Sequence, residues 1–145
     1  MFEALLRHLL HPTPARLPEP DAQLALAALL VRIARTDGLY SAEETERIDR
    51  VLALRHGLDP FEAAKLRARA EDLETQAPDT VRFTRALKAA TAVEDRSELI
   101  VAMWSVVLAD GERDDEEDQM MRLVCNLMGL TDVESAQARH RAEQA

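Results

Sequence analysis

Arg50-Val-Leu-Ala-Leu-Arg-His-Gly57-Leu58 and Arg122-Leu-Val-Cys-Asn-Leu-Met-Gly129-Leu130 are one pattern written twice, 72 residues apart. Each is a helix-sized run closed by Gly-Leu, the way a helix ends when its last residue turns left-handed. The likeness continues downstream, where Glu62, Ala64, Arg67, Arg69, Ala70 and Glu71 match Glu134, Ala136, Arg139, Arg141, Ala142 and Glu143. Upstream, Asp37-Gly38 and Glu43-Glu44 match Asp110-Gly111 and Glu116-Glu117 with a one-residue slip. All four glycines of the chain stand at these repeated positions. A period this long marks the doubling of a whole supersecondary unit. Leu24–Val31 and Leu99–Leu108, the most apolar stretches, are the first helices of the two copies. Such all-round apolarity needs cover on most sides, so the two are expected side by side in the core under a pseudo-twofold axis.

Outward from the repeat, capping residues mark the other helices. Asp21, after Pro20, is placed to cap a first helix running to about Thr36. Ser41 with Glu44 forms a capping box for a second, which Gly57 ends. Asp59, Pro60 and Glu62 open a third, which carries Phe61, Ala64, Leu66 and Ala68 and stops before Pro78. Asp79 opens a fourth through Val81, Phe83 and Leu87, and Asp95 with Glu98 caps a fifth. Asp114 with Glu117 caps a sixth, ended by Gly129, and Thr131 with Glu134 caps a seventh. No stretch alternates with a period of two. The fold class is therefore all-α, two three-helix pseudo-repeats with the fourth helix between them.

Composition narrows the partners. Among 145 residues, 27 acids face 18 bases, for a net charge of -9. That argues against nucleic acid and leaves cations and basic protein surfaces. One cysteine makes no intrachain disulfide, which suits a cytoplasmic address, and no run reaches the ~18 apolar residues of a membrane helix. Met1–Leu10 is too charged and too short for a secretion signal, but it reads as a short amphipathic helix with Phe2, Leu5, Leu6, Leu9 and Leu10 along one side. That side either packs on the domain or meets a partner or a membrane surface, so a peripheral membrane contact through residues 2–10 is one of its uses. Pro12, Pro14, Pro18 and Pro20 then form a stiff linker. The expected division is residues 1–20, segment and linker, and residues 21–145, the helical domain.

The stretches Ala34-Arg-Thr-Asp37-Gly38 and Ala109-Asp110-Gly111, each at the end of a long apolar helix and each followed by an acidic helix start, resemble the TerB-like family, named after tellurite-resistance proteins. With the two Gly-Leu turns the resemblance runs from about Asp21 to the C-terminus. It implies a seven-helix all-α domain with acidic patches. Divalent-cation binding and a part in tellurite or other stress response come with the resemblance; an enzymatic reaction does not.

The two Asp-Gly loops carry the candidate site, and their residues admit two readings. Glycine ends one helix, and the acids favour the positive end of the next by roughly 0.3–1 kcal/mol each. Helix capping alone thus explains the first loop. In the second, seven acids fall within residues 110–118, and their repulsion calls for full solvation or a cation. Asp110, Asp114 and Glu117 form the better ligand set and Asp37 with Glu44 the matching weaker one. Hard carboxylate oxygens suit calcium, magnesium or manganese. The loop is not an EF-hand, since glycine directly follows the first aspartate. His8, His11, His56 and His140 have no zinc-ligand spacing with Cys125, which reads as core beside Leu123 and Met128. Met103, Met120, Met121 and Met128 also read as core. Arg67, Arg69, Arg139 and Arg141 read as solvated faces able to reach the acidic loops. Two functional classes follow. One is a non-enzymatic interaction or cation-binding module with protein partners; the other is a metal-dependent hydrolase using the acidic loops. The first is expected, because no base, nucleophile or phosphate loop stands beside the acids.

Overall fold

Among the described residues, seven α-helices form close to where the capping residues place them. The computed structural model describes residues 19–36, 38, 40–76, 80–109 and 115–144, with the backbone alone at 19–21 and 82. The helices are α1 (Glu19–Ala34), α2 (Ala42–His56), α3 (Pro60–Gln76), α4 (Thr80–Ala90), α5 (Arg96–Val107), α6 (Asp115–Leu127) and α7 (Asp132–Gln144). A 3-10 turn, Val93–Asp95, precedes α5, and no strand occurs among the described residues. The expected helix over residues 2–10 and the linker prolines Pro12, Pro14 and Pro18 lie outside them, whereas Pro20 belongs to α1 and not to a linker.

Three capping boxes close as expected. The Glu44 N–H donates to Ser41 Oγ and the Ser41 N–H to Glu44 Oε1, both at 3.1 Å. Asp59 with Glu62 repeats the exchange at 2.7 and 3.1 Å, and Thr131 with Glu134 at 3.1 and 2.9 Å. Gly57 and Gly129 end α2 and α6 at φ 65 and 88°, where a side chain would strain the backbone. The Leu58 N–H reaches the Ala53 carbonyl and the Leu130 N–H the Cys125 carbonyl, each at 3.0 Å. These two bonds are one bond at an offset of 72 residues.

Two helix starts differ from expectation. α1 begins at Glu19, so Asp21 lies inside it and not ahead of it. Pro20 sits in the first turn, where its missing N–H has no partner to lose. At α5, Asp95 takes a right-handed helical conformation and its side chain makes no capping bond. The 3-10 turn has already satisfied the backbone: Asp95 N–H donates to the Ala92 carbonyl and Arg96 N–H to that of Val93. Glu98 is thereby released, and it accepts from Arg141 at 2.6 Å.

The first helices of the repeats form the core. Every residue from Leu24 to Val31 is buried, as are Leu99, Ile100, Met103, Trp104, Val106 and Val107 of α5. α1 and α5 touch, but each leans mainly on the last helix of its own unit, α1 on α3 and α5 on α7. The middle helices pack within their own unit and also reach across, α2 to α5 and α6 to α1. α4 bridges the units through α1 and α6. Cys125, Met103, Met121 and Met128 are buried as expected, with Met120 partly so. Leu123 instead faces outward, and α3 buries Ala63, Ala70 and Leu73 while Phe61 and Ala68 stand exposed. No helix among the described residues is long and apolar enough to cross a membrane.

Candidate functional site

Five glutamates hold the same place, the third residue of a helix: Glu44 in α2, Glu62 in α3, the exposed Glu98 in α5, Glu117 in α6 and Glu134 in α7. Glu62 and Glu134 cap their helices from exposed positions. Glu44 and Glu117 are each only 1% exposed. Capping does not require that burial, because Glu62 and Glu134 perform it in water. The two buried carboxylates are the two that follow the Asp-Gly loops. A carboxylate withdrawn from solvent needs compensating partners. In α2 the Ser41 N–H is one of them. Asp37, Asp110 and Asp114 lie outside the described residues. Of the expected ligand set, Glu44 and Glu117 are the described members. Among the described residues no group of three or more His, Cys, Asp or Glu side chains is arranged to hold a metal.

A network that sequence reasoning missed ties the first loop to α3. Tyr40, just past Gly38, donates its hydroxyl to Glu71 Oε2 at 2.7 Å. Arg67 donates to the same oxygen at 2.9 Å and to Asp49 Oδ1 at 2.6 Å. Arg35 lies over the Tyr40 ring, 4.9 Å from its centre, and pairs with Glu74 at 2.8 Å. Arg32 pairs with Glu74 at 3.2 Å and covers the Phe83 ring at 4.9 Å. Arg67 is therefore no solvated residue of an open helix face but a half-buried link between α2 and α3. The two carboxylates beside it raise its already high pKa. Burial, and then the Glu71 carboxylate, push the Tyr40 phenol well above the ordinary value. The i,i+4 spacing of Arg67 and Glu71 was a readable signal; Tyr40, 31 residues away, carried none.

The second repeat has a different neighbourhood. Trp104 donates from Nε1 to Ser135 Oγ at 3.3 Å, and the Arg139 guanidinium lies 5.7 Å from the indole centre. With Asp118, Arg122, Asp132 and Ala136 they line a cleft of about 160 Å³. Arg139 thus packs on the tryptophan, and its pairing with Glu143 at 4.0 Å is loose. A larger cleft of about 280 Å³ lies between the starts of α1 and α5 and the ends of α2 and α4; Leu26, Leu87 and Leu99 line it beside Arg55, His56 and Asp95. Neither cleft takes in Glu44 or Glu117.

Comparisons with known proteins agree with the geometry. Neither the curated proteins nor the solved structures give a match. The model of one family, described as tellurite resistance protein TerB, matches residues 23–140. That span begins in the first turns of α1, ends in the last turns of α7, and includes both Asp-Gly loops and both Gly-Leu turns. The chain belongs to the TerB family.

Proposed function

We propose that this chain is a non-enzymatic TerB-like binding module that takes a hard divalent cation at its second Asp-Gly loop. Asp110, Asp114 and Glu117 are the ligands there, and Asp37 with Glu44 forms the matching weaker set. Calcium, magnesium or manganese fits such oxygens. The observation that supports the reading is the contrast among the five third-position glutamates. Only the two beside the Asp-Gly loops are withdrawn from water. A carboxylate held inside the fold at a loop bearing further acids is poised to contribute one oxygen to a cation that the loop acids also reach. Ser41 stands at the capping position where the second loop has Asp114, so the first loop is the weaker binder. The family description supports a link with tellurite resistance. Another stress response, with protein partners in the cytoplasm, fits the same module.

A cation that binds only the folded state stabilises it by about 2.7 kcal/mol at a hundredfold excess over its dissociation constant. Millimolar calcium or manganese should raise the melting temperature of the wild type and leave Asp110→Asn/Glu117→Gln unmoved. Calorimetric titration of the same pair should give heat for the wild type only. Equal responses from both proteins would reduce the loops to helix caps.

A further inference from the structure

We infer that the cleft over Trp104, between α6 and α7, is a binding site for a small zwitterion, an α-amino acid of about alanine's size. Four charged side chains line it, Asp118 and Arg122 from α6 and Asp132 and Arg139 from α7. Asp118 and Arg122 stand one turn apart, the spacing at which an acid and a base pair on a helix. Yet among the ion pairs of the described residues none joins two of these four. Neither Arg122 nor Asp132 makes a hydrogen bond or an ion pair among the described residues. Arg139 is held over the indole of Trp104, 5.7 Å from its centre. Its Nε is shut off from solvent and donates to no acceptor, with the Glu143 carboxylate 4.0 Å off. A donor withdrawn from water without an acceptor is costly, and a ligand that brings the acceptor removes the cost.

The lining selects the ligand. Asp132, Ser135, Ala136 and Arg139 follow one another at helical spacing and share one face of α7. Opposite charges thus stand at the two ends of a stretch of small residues, about 10 Å apart along the axis. Ser135 is buried there and accepts from Trp104 Nε1 at 3.3 Å. A simple anion would meet Asp118 and Asp132, and a simple cation would meet Arg122 and Arg139. An uncharged molecule would take water from all four with no charge to offer in return. A molecule that carries both a carboxylate and an ammonium group answers each sign, the first with Arg139 and Arg122 and the second with Asp132. Volume sets its size. Water in the liquid takes about 30 Å³ per molecule, so a cleft of about 160 Å³ holds the equivalent of roughly five, close to the heavy atoms of alanine or serine. The indole of Trp104 and the methyl group of Ala136 are the apolar contacts for a short side chain. Neither Glu44 nor Glu117 lines the cleft, so the inference does not rest on the cation reading.

The chain has one tryptophan, so indole fluorescence reports on this cleft alone. Titration of the full chain with L-alanine, at fixed ionic strength and with chelator present, should change that fluorescence along a saturating curve. Its midpoint should be on the order of 1 mM, within reach of a ligand of about six heavy atoms. Acetate and methylammonium carry the two charges on separate molecules, and each should need at least about tenfold more. Arg122→Gln/Asp132→Asn alters two exposed side chains and leaves the core alone, and it should lose the response while keeping the wild-type circular dichroism. Arg139→Gln changes the surroundings of the indole itself, so its loss of binding is read by calorimetric titration. Fluorescence that does not saturate by about 100 mM alanine would overturn the inference. So would acetate or methylammonium acting as well as alanine, or a folded variant that binds alanine as the wild type does.

Discussion

The Tyr40 phenol donates to Glu71 while its ring lies under the Arg35 guanidinium. Burial first, and Glu71 second, raise its pKa in the folded state above the unfolded value of about 10. Above that pH the unfolded chain sheds this proton while the folded one keeps it. Stability present at neutral pH is therefore lost as the pH rises past about 10. The chain has one tyrosine, so tyrosinate absorbance reports this group alone. The absorbance should appear only together with loss of helical circular dichroism, and Tyr40→Phe should cost about 1 kcal/mol at neutral pH. A tyrosinate forming near pH 10 in a still-helical protein would mean that Glu71 does not hold the phenol. Cys125 is simpler. Burial pushes its thiol up, and the S–H points at the Thr131 carbonyl. A thiol reagent at neutral pH should modify it only at the rate of unfolding. At this scale the sequence was legible wherever a residue's partner lies within a turn or two of chain, as for Ser41 with Glu44. The bonds of Tyr40 to Glu71 and of Arg35 to Glu74 span 31 and 39 residues and had no local signal.

Helix starts separate caps that work through a side chain from those that do not. Asp59→Ala and Thr131→Ala each remove an oxygen that accepts a backbone N–H, and each should cost about 1 kcal/mol in urea unfolding. Asp95→Ala removes a side chain that caps nothing and should cost far less. Equal losses at all three positions would mean that composition near the helix start matters and the hydrogen bonds do not. The capping signature was legible because it is local, and it placed most of the helices nearly to the residue. It misread Asp95 because a preceding 3-10 turn can satisfy the same N–H groups, and nothing in Ala-Val-Glu-Asp announces that turn. The third helix was placed correctly, but which of its faces is buried was not legible. Its inner positions are mostly alanines, which lie close against α1 and leave Phe61 outside. Small residues at a tight crossing carry little hydrophobic pattern to read.

For the molecule as a whole, the core lies on α1. Leu30 is fully buried within it, and Leu30→Ala should cost about 2–5 kcal/mol through lost burial and the cavity left behind. The same change at the exposed Leu54 should cost under about 0.5 kcal/mol, and urea unfolding of the two variants compares them directly. The doubled architecture was legible from the 72-residue offset. Which helices lean on which was not, because α1 and α5 are apolar on every side and so name no particular neighbour. The reach of α2 to α5 and of α6 to α1 has a thermodynamic consequence of its own. Each half leaves part of its interior to be completed by the other, in the manner of a homodimer of half-length chains, with α4 as the covalent tether. Dilution cannot pull the two halves of such a molecule apart. Within one copy, assembly of the halves is a first-order event whose midpoint does not depend on how much protein is present.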